Sequence, residues 1–519
     1  MSHLPGFGEW LWRQTTRMPD RVALVFEGET WTYAELDAEC ARVAAALSEL
    51  GAARGDRVAY VGVNHPAFVA VLFGCARIGA VMTPINWRLT GPEIQFIVED
   101  SGAKFLVYDT AFGPAVESIA ADLPGTELIP NDLDAEPLLA GLAGDGSNPP
   151  PVATAGTELA VLMYTSGTEG RPKGAMITYD NIIAAVVSHD CTHAYGPDHV
   201  ALVAAPLFHI GGINVNFLNT FLKGGTVVLE RGFDPARILA LIPDYRVNSF
   251  FGASVMLEMI AAQDGFDEAD LSSVAWVYCG GAPVKDDVIR LYARRGVPVC
   301  NGYGMTEAAA MISLTMPEDV TERIGFSGKP GLFVDVRVVD EAGRELRAGE
   351  HGEIIIRGPN VIREYWNRPD ATAAIRDGWL HTGDGGVLTE DGYVRVVDRL
   401  KDIIISGGEN ISSAEVEQCL LEHPDVADAA VVGTAHPRWG EVPLAYVVLQ
   451  PASAANAEHL RRHAAGRLAR FKQPAEYRFV SALPRNASGK LLKTQLRRFG
   501  AGGESTTAAD PESPAAAQT

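Results

Sequence analysis

Paired or clustered cysteines are missing from this chain: its six, Cys40, Cys75, Cys191, Cys279, Cys300 and Cys419, are scattered and form no CxxC. That spacing speaks against a thiolate zinc site or a disulfide framework and fits a reduced, cytoplasmic setting. An excess of positive charge is missing too. Lys and Arg number 43 against 65 Asp and Glu, a net charge of −22, which argues against a nucleic-acid partner while leaving room for a local basic groove. No apolar run predicts a transmembrane segment; the best, residues 68–82, is interrupted by Arg77 and reads as a core helix. The first residues have neither the basic region nor the apolar core of a signal peptide. A Walker A loop is absent as well, because that pattern needs Ser or Thr directly after its Lys, and Lys173 is followed by Gly174.

What is present centres on residues 164–174, YTSGTEGRPKG. Gly167, Gly170 and Gly174 let consecutive N–H groups turn toward an anion where a Cβ would block the approach. Thr165, Ser166 and Thr168 add hydroxyl donors, and Arg171 and Lys173 add positive charge. The run is built to hold phosphate, between a strand-like stretch at 159–163 and a second at 175–178 that leads into a helical pattern at 181–188.

Four further clusters carry chemistry. In NGYGMTE, residues 301–307, Tyr303 offers a face for a purine, Thr306 a donor to phosphate and Glu307 a carboxylate for Mg²⁺. Residues 279–283 form a small-residue turn in which Gly281 would let a flat base lie against the backbone. In WLHTGD, residues 379–384, Asp384 ends a strand-to-turn segment; alone it reads more often as a turn residue than as a ribose ligand. Residues 398–410 join a charged junction to the pair Gly407-Gly408, and Lys490 follows a Gly turn where its ammonium could neutralise charge developing on phosphate and carboxylate oxygens.

With 519 residues the chain predicts more than one domain. Helix-like pieces at 33–50 and 66–78 alternate with strand-like pieces at 57–63 and 105–108, and the alternation recurs over 200–312, so an α/β fold is predicted. Shorter β pieces follow at 333–339, 352–357 and 393–397. A compact α+β module then spans roughly a hundred residues. The tail 501–519 has no large apolar residue and is expected to be disordered.

Together, and in this order, the motifs resemble the adenylate-forming superfamily of acyl-CoA synthetases, including fatty-acyl-CoA ligases, nonribosomal-peptide adenylation domains and firefly luciferases. The resemblance covers nearly the whole chain. It implies a large N-terminal domain of two α/β subdomains plus a small β-barrel over 1–398, a hinge at 399–401 and a small mobile α+β domain over 402–500. It further implies two half-reactions: a carboxylate attacks the α-phosphate of Mg·ATP to give acyl-AMP and pyrophosphate, and a thiol, usually that of CoA, then expels AMP. Thr165, Ser166, Gly167, Thr168 and Lys173 match the family's phosphate loop, and Gly281 and Tyr303 its adenine site. Thr306 and Glu307 match the phosphate and Mg²⁺ positions, Asp384 and Arg399 the ribose contacts, Lys401 the hinge, Gly408 the thiol tunnel and Lys490 the adenylation lysine. His209, in PLFHIGG, borders the acyl channel or is a core histidine.

No acidic residue occurs between Val203 and Asn214 to pair with an amino-acid amine, which favours an acid with an uncharged fatty, alicyclic or aromatic tail. A carrier-protein thiol or an amine is the alternative acceptor, a nucleotide-binding protein without catalysis is the remaining reading, and a homodimer is compatible with the resemblance. Two residues depart from the family pattern: Glu169 brings negative charge into the phosphate loop, and Asp398 replaces a common Gly.

Overall fold

The broken apolar run at 68–82 shows how this chain buries polarity. Pro66–Ile78 is a helix with Pro at its first turn, and Phe68, Val69, Val71, Leu72 and Phe73 are all buried. Each such side chain contributes about 1.5–3 kcal/mol on leaving water. Arg77 is buried with them, because its guanidinium donates to Asp37 at 2.7 Å from the neighbouring helix Tyr33–Glu49. That helix begins at Thr32, whose hydroxyl accepts from Glu35 N while the Glu35 carboxylate accepts from Thr32 N, a capping box.

The computed structural model describes residues 6–134, 138–139, 142, 150–165, 172–193, 195–281, 284–399, 402, 404–406, 409–437, 439–465, 467–468, 470–485 and 491–501. The chain divides into two compact units, Met1–Val396 and Val397–Thr519.

The first unit holds three sheets. One has six strands, with the parallel run Glu127–Asn131, Phe105–Asp109, Arg57–Val61, Val81–Ile85, Leu159–Thr165 closed by the antiparallel strand Lys173–Thr178. The second has nine. Its parallel centre runs Val299–Tyr303, Trp276–Gly280, Ser249–Gly252, Val200–Val203, Thr226–Leu229 and Val22–Phe26, with antiparallel strands at both edges. A main apolar core centred on Phe73, Phe217 and Phe221 packs helices Phe7–Arg17, Pro66–Ile78 and Leu218–Lys223 against one another. The third sheet is antiparallel and small, built on Asp335–Val339, His351–Arg357 and Trp379–Leu388, with its own core around Ile354, Ile356 and Leu380. The α/β class with a small β element is thus observed.

The second unit is an α+β module. Strands Val426–His436 and Gly440–Leu449 pair antiparallel, and Glu476–Phe479 adds in parallel. Val431, Ala445 and Val447 pack toward helices Ser413–Leu421 and Ala457–Ala465, whereas Ala430, Val432 and Leu444 pack toward Leu496, as the two faces of alternating strands require. Arg497 holds Asp402 at 2.6 Å. Among the described residues no helix is long and apolar enough to cross a membrane.

Candidate active site

The two strands on either side of residues 166–171 pair with each other. Leu159–Thr165 pairs antiparallel with Lys173–Thr178, and Thr165 lies opposite Lys173. Ser166, Gly167, Thr168 and Glu169 lie outside the described residues. The second strand delivers Lys173 to a buried cluster. Its Nζ donates to Tyr365 Oη at 2.8 Å and lies 3.6 Å from Glu307 Oε1. Tyr365 Oη in turn donates to Glu307 Oε1 at 2.7 Å. Glu307 is 5% exposed and Tyr365 4%, so the buried carboxylate is hydrogen-bonded and paired, as buried polar groups require.

Glu307 is positioned by unusual backbone. It sits with Thr306, which is partly buried, in the one-turn 3-10 helix Thr306–Ala308. Ala309 and Ala310 follow with φ of 50° and 85°, each a left-handed conformation that costs an alanine about 1–3 kcal/mol. Buried amides hold this turn: Asn360 Nδ2 donates to the carbonyls of Ala308 and Met311, and Asn214 Nδ2 donates to that of Ala309 at 2.9 Å. Gly304 cannot be replaced, since a Cβ there would lie 1.5 Å from Ala310 O.

Beside this turn, adjacent parallel strands end together, with Gly280 opposite Gly302. Ligands in open α/β sheets bind beyond such carboxyl ends. Gly281, the next residue, has φ 82° and no atom within 4 Å of where a Cβ would stand, which leaves backbone open to a flat base. Tyr303 closes its strand and donates from Oη to Asp384 Oδ2 at 2.6 Å.

Asp384 corrects the reading of that residue as part of a turn. It lies within the ten-residue strand Trp379–Leu388 and is 5% exposed. The pairing with His351–Arg357 shifts register between Glu353 and Ile355, and Gly383 takes φ 70°. A β-bulge therefore re-aims a strand residue, which Gly383 makes look like a turn in one dimension.

His209 is not a core histidine: its side chain is open to solvent. Protein nonetheless surrounds the ring closely, and this desolvation, with Arg88 nearby, lowers its pKa to about 4. It precedes a helical segment that winds as a π-helix over Gly212–Phe217, a form frequent at functional sites. Gly212 is needed there, because a Cβ would lie 2.3 Å from Pro206 O. Phe251 packs against Gly211 and helps line a small apolar recess with Phe250, Met256 and Ile260; no charged side chain lines it.

Arg399 ends the strand Val394–Arg399, but its side chain lies outside the described set, as do residues Lys401, Gly408 and Lys490. Tyr365 escaped the sequence reading. Its one signal was an aromatic pair, Tyr365-Trp366, between Glu364 and Asn367.

The residues present fit Mg·ATP. Glu307 is a hard oxygen donor of the kind Mg²⁺ takes, and Lys173 beside it supplies positive charge for phosphate. Asp384 offers a buried carboxylate for ribose, with Gly281 and Tyr303 at the same strand ends.

An AMP-binding enzyme model matches residues 11–366, and the AMP-binding enzyme C-terminal domain model matches residues 415–490. The chain belongs to the AMP-binding enzyme family. It is 43% identical over 498 residues to feruloyl-CoA synthase of an Amycolatopsis species, covering 95% of this chain and 99% of that one. It is 38% identical over 491 residues to the fatty acid–acyl-carrier-protein ligase ScoC of Streptomyces coeruleorubidus, covering 92% and 93%. Among solved structures, o-succinylbenzoate CoA synthetase from Bacillus subtilis, in complex with an acyl-adenylate intermediate, is similar with a TM-score of 0.87 and 35% identity, over 96% of this chain and 99% of that one. The same enzyme is also known in complex with ATP and magnesium ion.

Proposed function

We propose that this protein activates a carboxylic acid with ATP and transfers the acyl group to CoA. The observation that carries the reading is the meeting of Lys173 and Glu307, from separate parts of the chain, at one buried Tyr365 hydroxyl.

In the first half-reaction a carboxylate oxygen of the acid bonds to the α-phosphorus, the bond to the pyrophosphate oxygen breaks, and acyl-AMP remains. Lys173 and the phosphate-loop hydroxyls hold the phosphates that leave. Tyr303 and Gly281 receive the adenine, and Asp384 accepts from the ribose hydroxyls together with Arg399. Glu307 would hold Mg²⁺, which when bound supplies charge neutralisation on the phosphate oxygens. Lys490 neutralises charge on the oxygens exchanging at phosphorus.

In the second half-reaction the CoA sulfur bonds to the acyl carbonyl carbon, the thiol proton is lost, and AMP leaves with its electron pair. Residues 399–401 act as the hinge between a domain of 1–398 and a mobile one of 402–500, so that Lys490 and the thiol use the same opening in turn, with Gly408 beside the thiol. No covalent enzyme intermediate is needed; positioning and electrostatics do the work.

The acid carries an uncharged tail, a reading supported by the absence of any acidic residue between Val203 and Asn214. Similarity to a feruloyl-CoA synthase puts aromatic acids first. Similarity to an acyl-carrier-protein ligase favours a second reading in which a carrier-protein thiol is the acceptor. The enzyme works in the cytoplasm, and sedimentation velocity would decide whether it is a homodimer.

Pyrophosphate release across a panel of aromatic, alicyclic and fatty acids tests adenylation. Mass spectrometry of products formed with CoA, a carrier protein or amines then identifies the acceptor. Silence across the panel would remove the enzymatic reading.

A further inference from the structure

Tyr365 takes no part in making or breaking bonds, yet it stands between the two charges that matter most. Its hydroxyl accepts from Lys173 and donates to Glu307, at 2.8 and 2.7 Å. A phenol has one proton to give, and here that proton goes to the carboxylate, so the oxygen is left to face the ammonium. The ammonium also lies 4.0 Å from the centroid of the Tyr365 ring, a distance at which the ring face attracts a cation.

The backbone fixes this hydroxyl independently of any ligand. Tyr365 N donates to Thr372 Oγ1 at 3.0 Å, and Trp366 N donates to Gly174 O at 2.8 Å, one residue from Lys173. Tyr365 bridges Ala175 in antiparallel fashion, and Ile362 N donates to Glu307 O at 2.9 Å. Trp366 Nε1 reaches Asp100 O at 2.8 Å. The 362–366 segment is therefore stitched to the Lys173 strand on one side and to the Glu307 turn on the other.

We infer that Tyr365 is a positioning residue of the nucleotide site, holding the Lys173 ammonium and the Glu307 carboxylate side by side while keeping their ion pair from closing into a direct charge-assisted hydrogen bond. Their own separation, 3.6 Å, is longer than a charge-assisted hydrogen bond. Without the phenol oxygen the two opposite charges, in a site where Glu307 is nearly dry, would close on each other. Mg·ATP would then have to break that pair before Glu307 could turn to the metal and Lys173 to phosphate. With the oxygen in place both groups are spaced before the ligand arrives, and less reorganisation opposes binding.

This inference rests on the reading of the site as one for Mg·ATP, and the experiment separates the two. Binding of Mg·ATP, and of ATP with EDTA, is measured by calorimetry on full-length wild type, Tyr365→Phe, Glu307→Gln and the double variant, alongside the KM for ATP and for an acid that the wild type turns over. Tyr365→Phe is expected to weaken Mg·ATP roughly tenfold, the scale of one hydrogen bond to a charged group. It should affect metal-free ATP less, raise the KM for ATP more than it lowers kcat, and leave the KM for the acid unchanged. In the Glu307→Gln background, where no carboxylate attracts the ammonium, it should add little. Should Tyr365→Phe fail to fold, Thr372→Val, which removes the acceptor of the Tyr365 amide together with the bond that Thr372 Oγ1 donates to Arg368 O, should shift Mg·ATP affinity the same way by a smaller factor. Equal losses in both backgrounds, or an acid KM rising in step with that for ATP, would overturn the positioning role. A wild type that binds no Mg·ATP would overturn the nucleotide-site reading itself.

Discussion

Tyr303 and Asp384, 81 positions apart, meet in a 2.6 Å hydrogen bond from phenol to carboxylate. The bond joins the last residue of a strand in the nine-stranded sheet to a bulged strand in the small sheet. It means that the residue assigned to adenine orients the residue assigned to ribose.

Tyr303→Phe keeps the aromatic face and removes the orienting bond, so kcat/KM for ATP should fall severalfold with adenine specificity retained. Asp384→Ala removes the carboxylate itself and should cost roughly 10- to 100-fold, as expected for hydrogen bonds to a charged group. In the Asp384→Ala background, Tyr303→Phe should have little further effect. Steady-state kinetics with ATP as the varied substrate checks this, and additive losses would show that the two residues act separately.

Lys490→Ala should lower acid-dependent ATP–pyrophosphate exchange by roughly 100- to 1,000-fold, the scale for losing one preorganised donor from a transition state. Thioester formation from chemically prepared acyl-AMP and CoA should persist. Intact exchange in this variant would remove Lys490 from the adenylation step.

His209 has its pKa lowered to about 4 by desolvation and by Arg88. The lowered value means that the neutral form is held down to about that pH, so His209 is uncharged near neutrality. His209→Ala should raise the KM for the acid with little change in that for ATP. The pH profile of kcat/KM should show no limb near 6.5 that disappears in this variant; finding one would assign His209 a charged role.

Three other histidines, His189, His193 and His199, are buried around Trp276 and Tyr278. Burial lowers His189 to about 4, His193 to about 3 and His199 to about 4, from an ordinary 6.5. His199 Nε2 has Ser249 Oγ at 2.8 Å, whereas neither nitrogen of His193 has a partner among the described residues. Folded values below the unfolded one mean that the unfolded chain takes up protons first as pH falls. Their contribution to stability is thus complete above pH 6.5 and is lost progressively toward pH 4 and 3, a tenfold difference in proton affinity between the two states being worth about 1.4 kcal/mol. Urea unfolding midpoints should fall between pH 6.5 and 5, above the main carboxylate range, and the slope should be shallower in His193→Phe. A flat wild-type profile over that interval would contradict the assignment.

Much of the architecture was legible because it is written locally. The helix Tyr33–Glu49 carries its start signal in Thr32 and Glu35, and the alternation of helical and strand periods over the first half of the chain specifies parallel sheets wherever it falls in space. Arg77 was readable as a break in an apolar run, but its partner Asp37 was not, since nothing in the local pattern of one helix names the residue it will face on the next.

The site divides in the same way. Thr165, Lys173, Gly281, Tyr303 and Glu307 stood out because phosphate, base and metal need particular residue types on backbone that only glycine-rich segments permit. Asp384 was placed in a turn because Gly383 punctuates the segment, whereas the register shift that makes it a bulge belongs to the strand paired with it. Tyr365 was missed because its significance lies in residues 192 and 58 positions away.

The sequence by itself determined the chemistry available to this protein, because donors, carboxylates, cations and left-handed backbone are properties of residue types at fixed local spacing. Only the tertiary structure decided which of these groups face one another. The Lys173–Tyr365–Glu307 and Tyr303–Asp384 contacts depend on sheet register, a bulge and strained turns that bring distant segments within hydrogen-bond reach, and no local pattern encodes separations of that precision.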